Sequence, residues 1–135
     1  MISPISVRVN EESMTLMTGH QKGIAKIFDI NRPDESPQTF EIKLNKNRKH
    51  SPISAIDCSP TDPNLWALGS FDKRVYFTDS RNLKRIVHFL KSKDGQGVTQ
   101  VKFMSDGKSV VVGSRRTNAL SIWDIRSMKE AAVKY

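Results

Sequence analysis

The chain has 135 residues, the length of one domain, and its 37 % hydrophobic and 27 % charged content is a globular balance that excludes a disordered tail. One cysteine, Cys58, excludes an internal disulfide or a multi-thiol zinc site and points to a reducing compartment. No apolar run reaches the length of a bilayer span and no secretion leader is read, so a soluble chain is expected; 22 Lys plus Arg against 14 Asp plus Glu give it a net charge of +8, which favours polyanionic partners.

In chain order, alternation at Val7 and Val9 predicts a strand, Asn10 to Ser13 a turn, and Leu16 to Gly19 a second strand closed by glycine. Ile24 to Asp29 reads as a third strand and Thr39 to Leu44 as a weaker fourth. The order then repeats. Ile53, Ile56 and Cys58 lead through Ser59 to Pro63 into Trp66 to Gly69, followed by Val75 to Asp79 and Ile86 to Leu90. Val98, Val101 and Phe103 lead through Met104 to Gly107 into Val110 to Gly113, followed by Leu120 to Asp124 and Ala131 to Tyr135. Gly19, Gly69 and Gly113 mark where each hairpin is expected to turn, and Asp29, Asp79 and Asp124 where a tight turn follows the third strand.

The copies share register at three places. Val9, Cys58 and Phe103 are spaced by 49 and 45 residues, the glycines by 50 and 44, and the aspartates by 50 and 45. Four strands per unit at this period, with Trp123-Asp124 ending a third strand, resemble the WD-repeat family. The resemblance implies an all-β fold of β-propeller blades: three four-stranded antiparallel sheets in an incomplete ring, one partial propeller over 1–135 with blades near 1–45, 50–91 and 95–135. Phe28 and Thr78 stand where the first two units would carry tryptophan. In the middle unit His50 and Asp72 match the family's histidine and turn aspartate, while Leu68 replaces the hydroxyl residue between them; the outer units lack that aspartate. Propellers use about four to eight blades, so the remaining ones are expected from a longer chain or from a partner.

In such a fold the loops between second and third strands share one face with those joining successive units. These loops hold ten cations, Lys22, Lys46, Arg48, Lys49, Lys73, Arg74, Lys91, Lys93, Arg115 and Arg116, against Asp72 and Asp94; the rest of the chain carries twelve of each sign. The whole net charge falls on one rim. Such segregation suits RNA phosphates, with Phe71 and His50 as possible stacking surfaces, although loop lysines also serve solubility.

Two stretches go further. Ile53 to Pro60 with Ala67 to Phe71, and Gly113 to Ala119 with Trp123 to Arg126, are similar to the telomerase Cajal body WD-repeat family, including a third turn that reads Arg115-Arg116-Thr117-Asn118-Ala119. That likeness extends from about Val7 to Arg126. It implies a non-enzymatic factor of the nucleus and its Cajal bodies that binds small Cajal body RNAs or telomerase RNA beside ribonucleoprotein proteins, with Arg115 and Arg116 as candidate contacts. The alternatives are a protein-interaction scaffold, its rim reading acidic peptides, or a truncated propeller without independent activity.

No catalytic, metal or cofactor signature competes. The histidines His20, His50 and His88 lie apart, there is no Gly-x-Ser-x-Gly elbow, and Gly95-Gln96-Gly97 lacks the third glycine and helix of a nucleotide fingerprint. Cys58 reads as core. No enzyme, cofactor, metal or membrane is expected.

Overall fold

A computed structural model describes residues 4–42, 51–93, 95–127 and 129–134. Within them the alternating segments form three four-stranded sheets. Blade one is β1 (Pro4–Asn10), β2 (Thr15–His20), β3 (Ile24–Asp29) and β4 (Gln38–Glu41). Blade two is β5 (Ile53–Cys58), β6 (Leu65–Ser70), β7 (Arg74–Asp79) and β8 (Asn82–Lys91), and blade three is β9 (Val98–Phe103), β10 (Ser109–Ser114), β11 (Leu120–Asp124) and β12 (Lys129–Lys134). Each sheet runs in sequence order with antiparallel neighbours. None of the described sheets closes on itself.

One device builds the first turn of every blade. A side-chain oxygen accepts two successive backbone N–H groups: Asn10 Oδ1 from Glu12 and Ser13, Ser59 Oγ from Thr61 and Asp62, Asp106 Oδ1 from Lys108 and Ser109. Short polar side chains favour turns because they satisfy backbone donors locally. Asp29, Asp79 and Asp124 do the same after the third strands, accepting from the N–H of Asn31, Arg81 and Arg126. A nearby arginine clamps each carboxylate, Arg32 at 2.8 Å, Arg81 at 2.6 Å and Arg126 at 2.7 Å. These arginine hydrogen bonds are the main reason all three carboxyls titrate below the usual range, Asp124 at about 2.

The core lies in two seams between blades. Met17, Ala25, Ile27 and Phe40 of blade one pack against Ile56, Trp66, Leu68 and Tyr76 of blade two. Ala67, Val75, Phe77 and Leu90 on the other side of blade two meet Val101, Phe103, Val110, Val112 and Trp123 of blade three. Each large side chain buried there is worth about 1.5–3 kcal/mol. The substitution of Thr78 for tryptophan is balanced across the ladder: Thr78 pairs with Trp66, whereas Trp123 pairs with Val110. One indole fills either site.

Two expectations change. Gly19, Gly69 and Gly113 are not at the reversals but one residue inside the ends of β2, β6 and β10. At the first two, close packing requires glycine: a Cβ on Gly19 would stand 2.6 Å from Ile53 Cγ2 of the next blade, and one on Gly69 2.6 Å from Val98 Cγ1. Val7 and Val9 are in a strand as expected, yet they are 61 % and 40 % exposed, because their face of blade one has no sheet against it among the described residues.

A single carboxylate links all three first strands. Asp57, buried in β5, accepts the backbone N–H of Phe103 in β9 at 2.8 Å and lies 2.9 Å from Arg8 Nε of β1 and 3.5 Å from Lys102 Nζ of β9. Arg8 and Lys102 are partly solvated, so each can rehydrate if the carboxylate is lost; the Phe103 N–H cannot. Asp57→Ala is therefore expected to cost about 2 kcal/mol, and Arg8→Ala or Lys102→Ala less, because the other cation and the Phe103 N–H still hold the buried carboxylate, read from urea midpoints. Equal losses for all three would show that the ion pairs carry the link instead.

The turn clamps give a second expectation. A depressed carboxyl stabilises the fold above its unfolded value and loses that contribution as pH falls through its folded value, here from about 4 to about 2. In Arg126→Ala the Asp124 carboxyl should titrate back toward the ordinary range in an NMR titration. An unmoved midpoint would exclude the arginine as its cause.

Candidate functional site

The rim is assembled by backbone contacts between two sets of loops. The turn between β2 and β3 is tied down by Ile42 N–H donating to Gly23 O at 2.8 Å, and the one between β6 and β7 by Ser92 N–H donating to Lys73 O at 2.8 Å. At the third, Arg115 N–H donates to Gly97 O at 2.8 Å and Gln96 N–H to Arg115 O at 2.9 Å. Turns within blades and the linker to blade three therefore share an edge. Gly95 and Gly97 are required here: both have positive φ, and a Cβ would stand 2.7 Å from Arg115 O or 2.9 Å from the Phe71 backbone. The Gly-Gln-Gly loop serves this approach.

Lys22, Lys73 and Arg116 each occupy a left-handed backbone position, at φ 60°, 72° and 56°, one in every turn between second and third strands. Long cationic side chains are uncommon there, since glycine, asparagine and aspartate relieve the Cβ strain better. The turns thus present one cation apiece. Lys91, Lys93 and Arg115 are exposed on the same edge. Among the described residues, no ion pair engages Lys22, Lys73, Lys91, Lys93 or Arg116.

Arg74 and Phe71 are placed differently from the open contacts expected of them. Arg74 begins β7 with its side chain largely buried, 3.2 Å from Asp72 and 5.2 Å from the Phe89 ring centroid. Asp72 also accepts from the Arg74 N–H and from Tyr76 Oη. Burial and then that carboxylate push the Tyr76 phenol upward. Tyr76 thereby gives Asp72 the hydroxyl partner that Leu68 does not supply, a link hidden in sequence because Tyr76 reads only as an apolar strand residue. Phe71 lies under the Arg115 guanidinium, 5.2 Å from its ring centroid. The two expected contacts occupy one another.

Lys46, Arg48, Lys49, His50 and Asp94 lie outside the described residues. Trp123 is buried and its indole N–H donates to Ser121 Oγ at 3.1 Å, a structural role. No three metal-ligating side chains gather among the described residues. On the opposite edge, a groove of about 680 Å³ opens between Arg8, Glu11, Glu12, Asp57 and Lys102. Its charges are mixed, so it lacks the one-sign field of the rim.

No protein-family model matches the chain. It is 27 % identical over 77 residues to the guanine nucleotide-binding protein negative regulator 1 of Schizosaccharomyces pombe, covering 57 % of this chain and 19 % of that relative. It is 25 % identical over 111 residues to the E3 ubiquitin-protein ligase COP1 of Pisum sativum and 24 % over 115 residues to that of Arabidopsis thaliana, covering 82 % and 85 % of this chain and 15 % of each relative. A chain in the crystal structure of a mitotic checkpoint complex superposes with a TM-score of 0.80 at 18 % identity, over 99 % of this chain and 38 % of that one. The chain thus spans less than two fifths of the length of each of these proteins. The shared architecture is that of WD-repeat propeller blades.

Removing Arg74 would leave the Asp72 carboxylate shielded from water without its cation. Arg74→Ala should cost about 2 kcal/mol, whereas Arg116→Ala should change stability by less than about 0.5 kcal/mol, both by thermal or urea unfolding. A neutral Arg74→Ala would return that residue to the free rim.

Proposed function

We propose that these three WD-repeat propeller blades form a non-catalytic interaction platform whose basic rim holds an acidic segment of a protein partner. The observation that carries this reading is the placement of Lys22, Lys73 and Arg116 at left-handed turn tips on one edge. Cations held by a rigid scaffold complement a partner's carboxylates without a further ordering cost in the backbone. The solved neighbour is part of a mitotic checkpoint complex, which supports protein partners. The ligase named among the relatives spans far more than these blades, so its activity is not carried over.

RNA is the second reading, favoured by the same one-sign charge and by the sequence likeness to the Cajal body family. One feature weighs against it. Phe71, the rim ring expected to stack on a base, lies under the Arg115 guanidinium. The nuclear and Cajal body assignment rests on the sequence likeness and falls with this reading.

A fluorescein-labelled peptide rich in Glu and Asp and a single-stranded RNA of equal length separate the two by anisotropy. The peptide should bind at least as tightly as the RNA at 150 mM salt. The combined Lys22→Glu, Lys73→Glu and Arg116→Glu variant should lose about tenfold or more in peptide affinity with its melting temperature unchanged, about 1.4 kcal/mol. Preferential RNA binding, with a salt slope near −0.7 per phosphate, would replace the acidic-peptide reading. An unaffected, folded triple variant would remove the rim from either.

A further inference from the structure

We propose that Arg115, laid on the Phe71 ring, is a preformed fork for one carboxylate of the acidic partner, a site built jointly by blades two and three. The proposal rests on the rim reading above and names the contact that gives it specificity. The other arginines show what this side chain does in the fold. Arg8, Arg32, Arg74, Arg81 and Arg126 each hold a carboxylate of the chain itself. Arg115 is exposed, and among the described residues no hydrogen bond or ion pair engages its guanidinium.

Arg74 is the informative comparison. Its guanidinium stands 5.2 Å from the Phe89 ring centroid, and its Nη1 takes the Asp72 carboxylate at 3.2 Å. The Arg115 guanidinium stands at the same 5.2 Å from the Phe71 ring centroid. Stacking occupies the face of a planar guanidinium and leaves its N–H donors free along the edge. Within blade two those donors meet a carboxylate; at the seam with blade three they meet none. The Arg74 site thus shows the chemistry of the ligand that the Arg115 site is open to receive.

The backbone under Arg115 is fixed from both sides. Its N–H donates to Gly97 O at 2.8 Å, and its carbonyl accepts from Gln96 N–H at 2.9 Å. Gly97 in turn lies so close to Phe71 that an added Cβ would stand 2.9 Å from the Phe71 Cα and carbonyl oxygen. Fork, ring and linker therefore form one assembly, in which Phe71 is a positioning residue. A guanidinium already held in place loses little further freedom on binding, and its planar edge can engage a carboxylate through two parallel N–H bonds, where an ammonium acts as a point charge. Lys73, in the same turn as Phe71, and Arg116, beside Arg115, keep the surroundings positive. That field draws in an acidic segment, and the fork selects one of its carboxylates.

The test is anisotropy of the Glu- and Asp-rich peptide on variants that conserve charge. Arg115→Lys should weaken binding about fivefold to tenfold although the net charge is unchanged. Arg126→Lys, the same exchange away from the rim, should bind like the original chain. Phe71→Leu removes no charge, yet the folded variant should lose a similar factor, and combining it with Arg115→Lys should add little, because both disable one device. In NMR spectra the Arg115 Nε–H resonance should shift when peptide is added. Binding indifferent to Arg115→Lys, an unmoved Arg115 resonance at saturating peptide, or a folded Phe71→Leu chain that binds as before would overturn the fork and leave the basic rim standing. An unmodified chain that ignores the peptide would overturn the fork and the rim reading together.

Discussion

The buried Asp57 carboxylate sets the condition on which the rest of the molecule depends. A blade packs on its neighbour through apolar faces, and apolar contact alone fixes area better than register. Asp57 adds direction: one oxygen receives the Phe103 N–H of the next blade and the other faces Arg8 of the preceding one. A slip of one residue in β9 would leave a buried acceptor and a buried donor apart, and would turn every side chain of the strand to the wrong face. The hydrogen bond between backbone and carboxylate thus fixes the seams in which Trp66, Phe77 and Trp123 are buried. The rim turns inherit their alignment from it.

Much of this order is legible in the sequence. The shared spacing located the first three strands of each unit, weaker apolar runs pointed to the fourth, and the aspartates ending the third strands announced their turns. What the spacing did not carry is the partner of each group. Asp29, Asp79 and Asp124 recur visibly, but Arg32, Arg81 and Arg126 fall three, two and two residues later, so no strict period marks the clamp. The glycines were visible as a repeat, yet their role follows from a side chain some 30 residues ahead, and only contact across the seam reveals it. Asp57 was concealed more fully, since a carboxylate at an inward strand position runs against the apolar pattern.

The rim illustrates the same division. Sequence placed the net charge in loops, and of these the structure brings the described ones, at 21–23, 71–73, 91–93, 95–97 and 115–118, to one edge, but sequence treated the cations as equivalent. Burial separates them: Arg74 is consumed by Asp72 and Phe89, Arg115 covers Phe71, and Lys22, Lys73 and Arg116 stand out on strained turn tips. Composition records charge without recording what each charge already touches. Phe71, the stacking candidate among the described residues, is engaged in this way, which shifts the balance from base stacking toward carboxylates.

The proposed function places binding at the turn tips of one edge. Hydrogen exchange measured on the chain with and without a Glu- and Asp-rich peptide tests it most directly. New protection is expected at residues 21–23, 71–73 and 115–117, with the opposite-edge turns at 11–14, 59–64 and 104–108 unchanged. Protection confined to those opposite turns, beside the groove at Arg8 and Lys102, would contradict it.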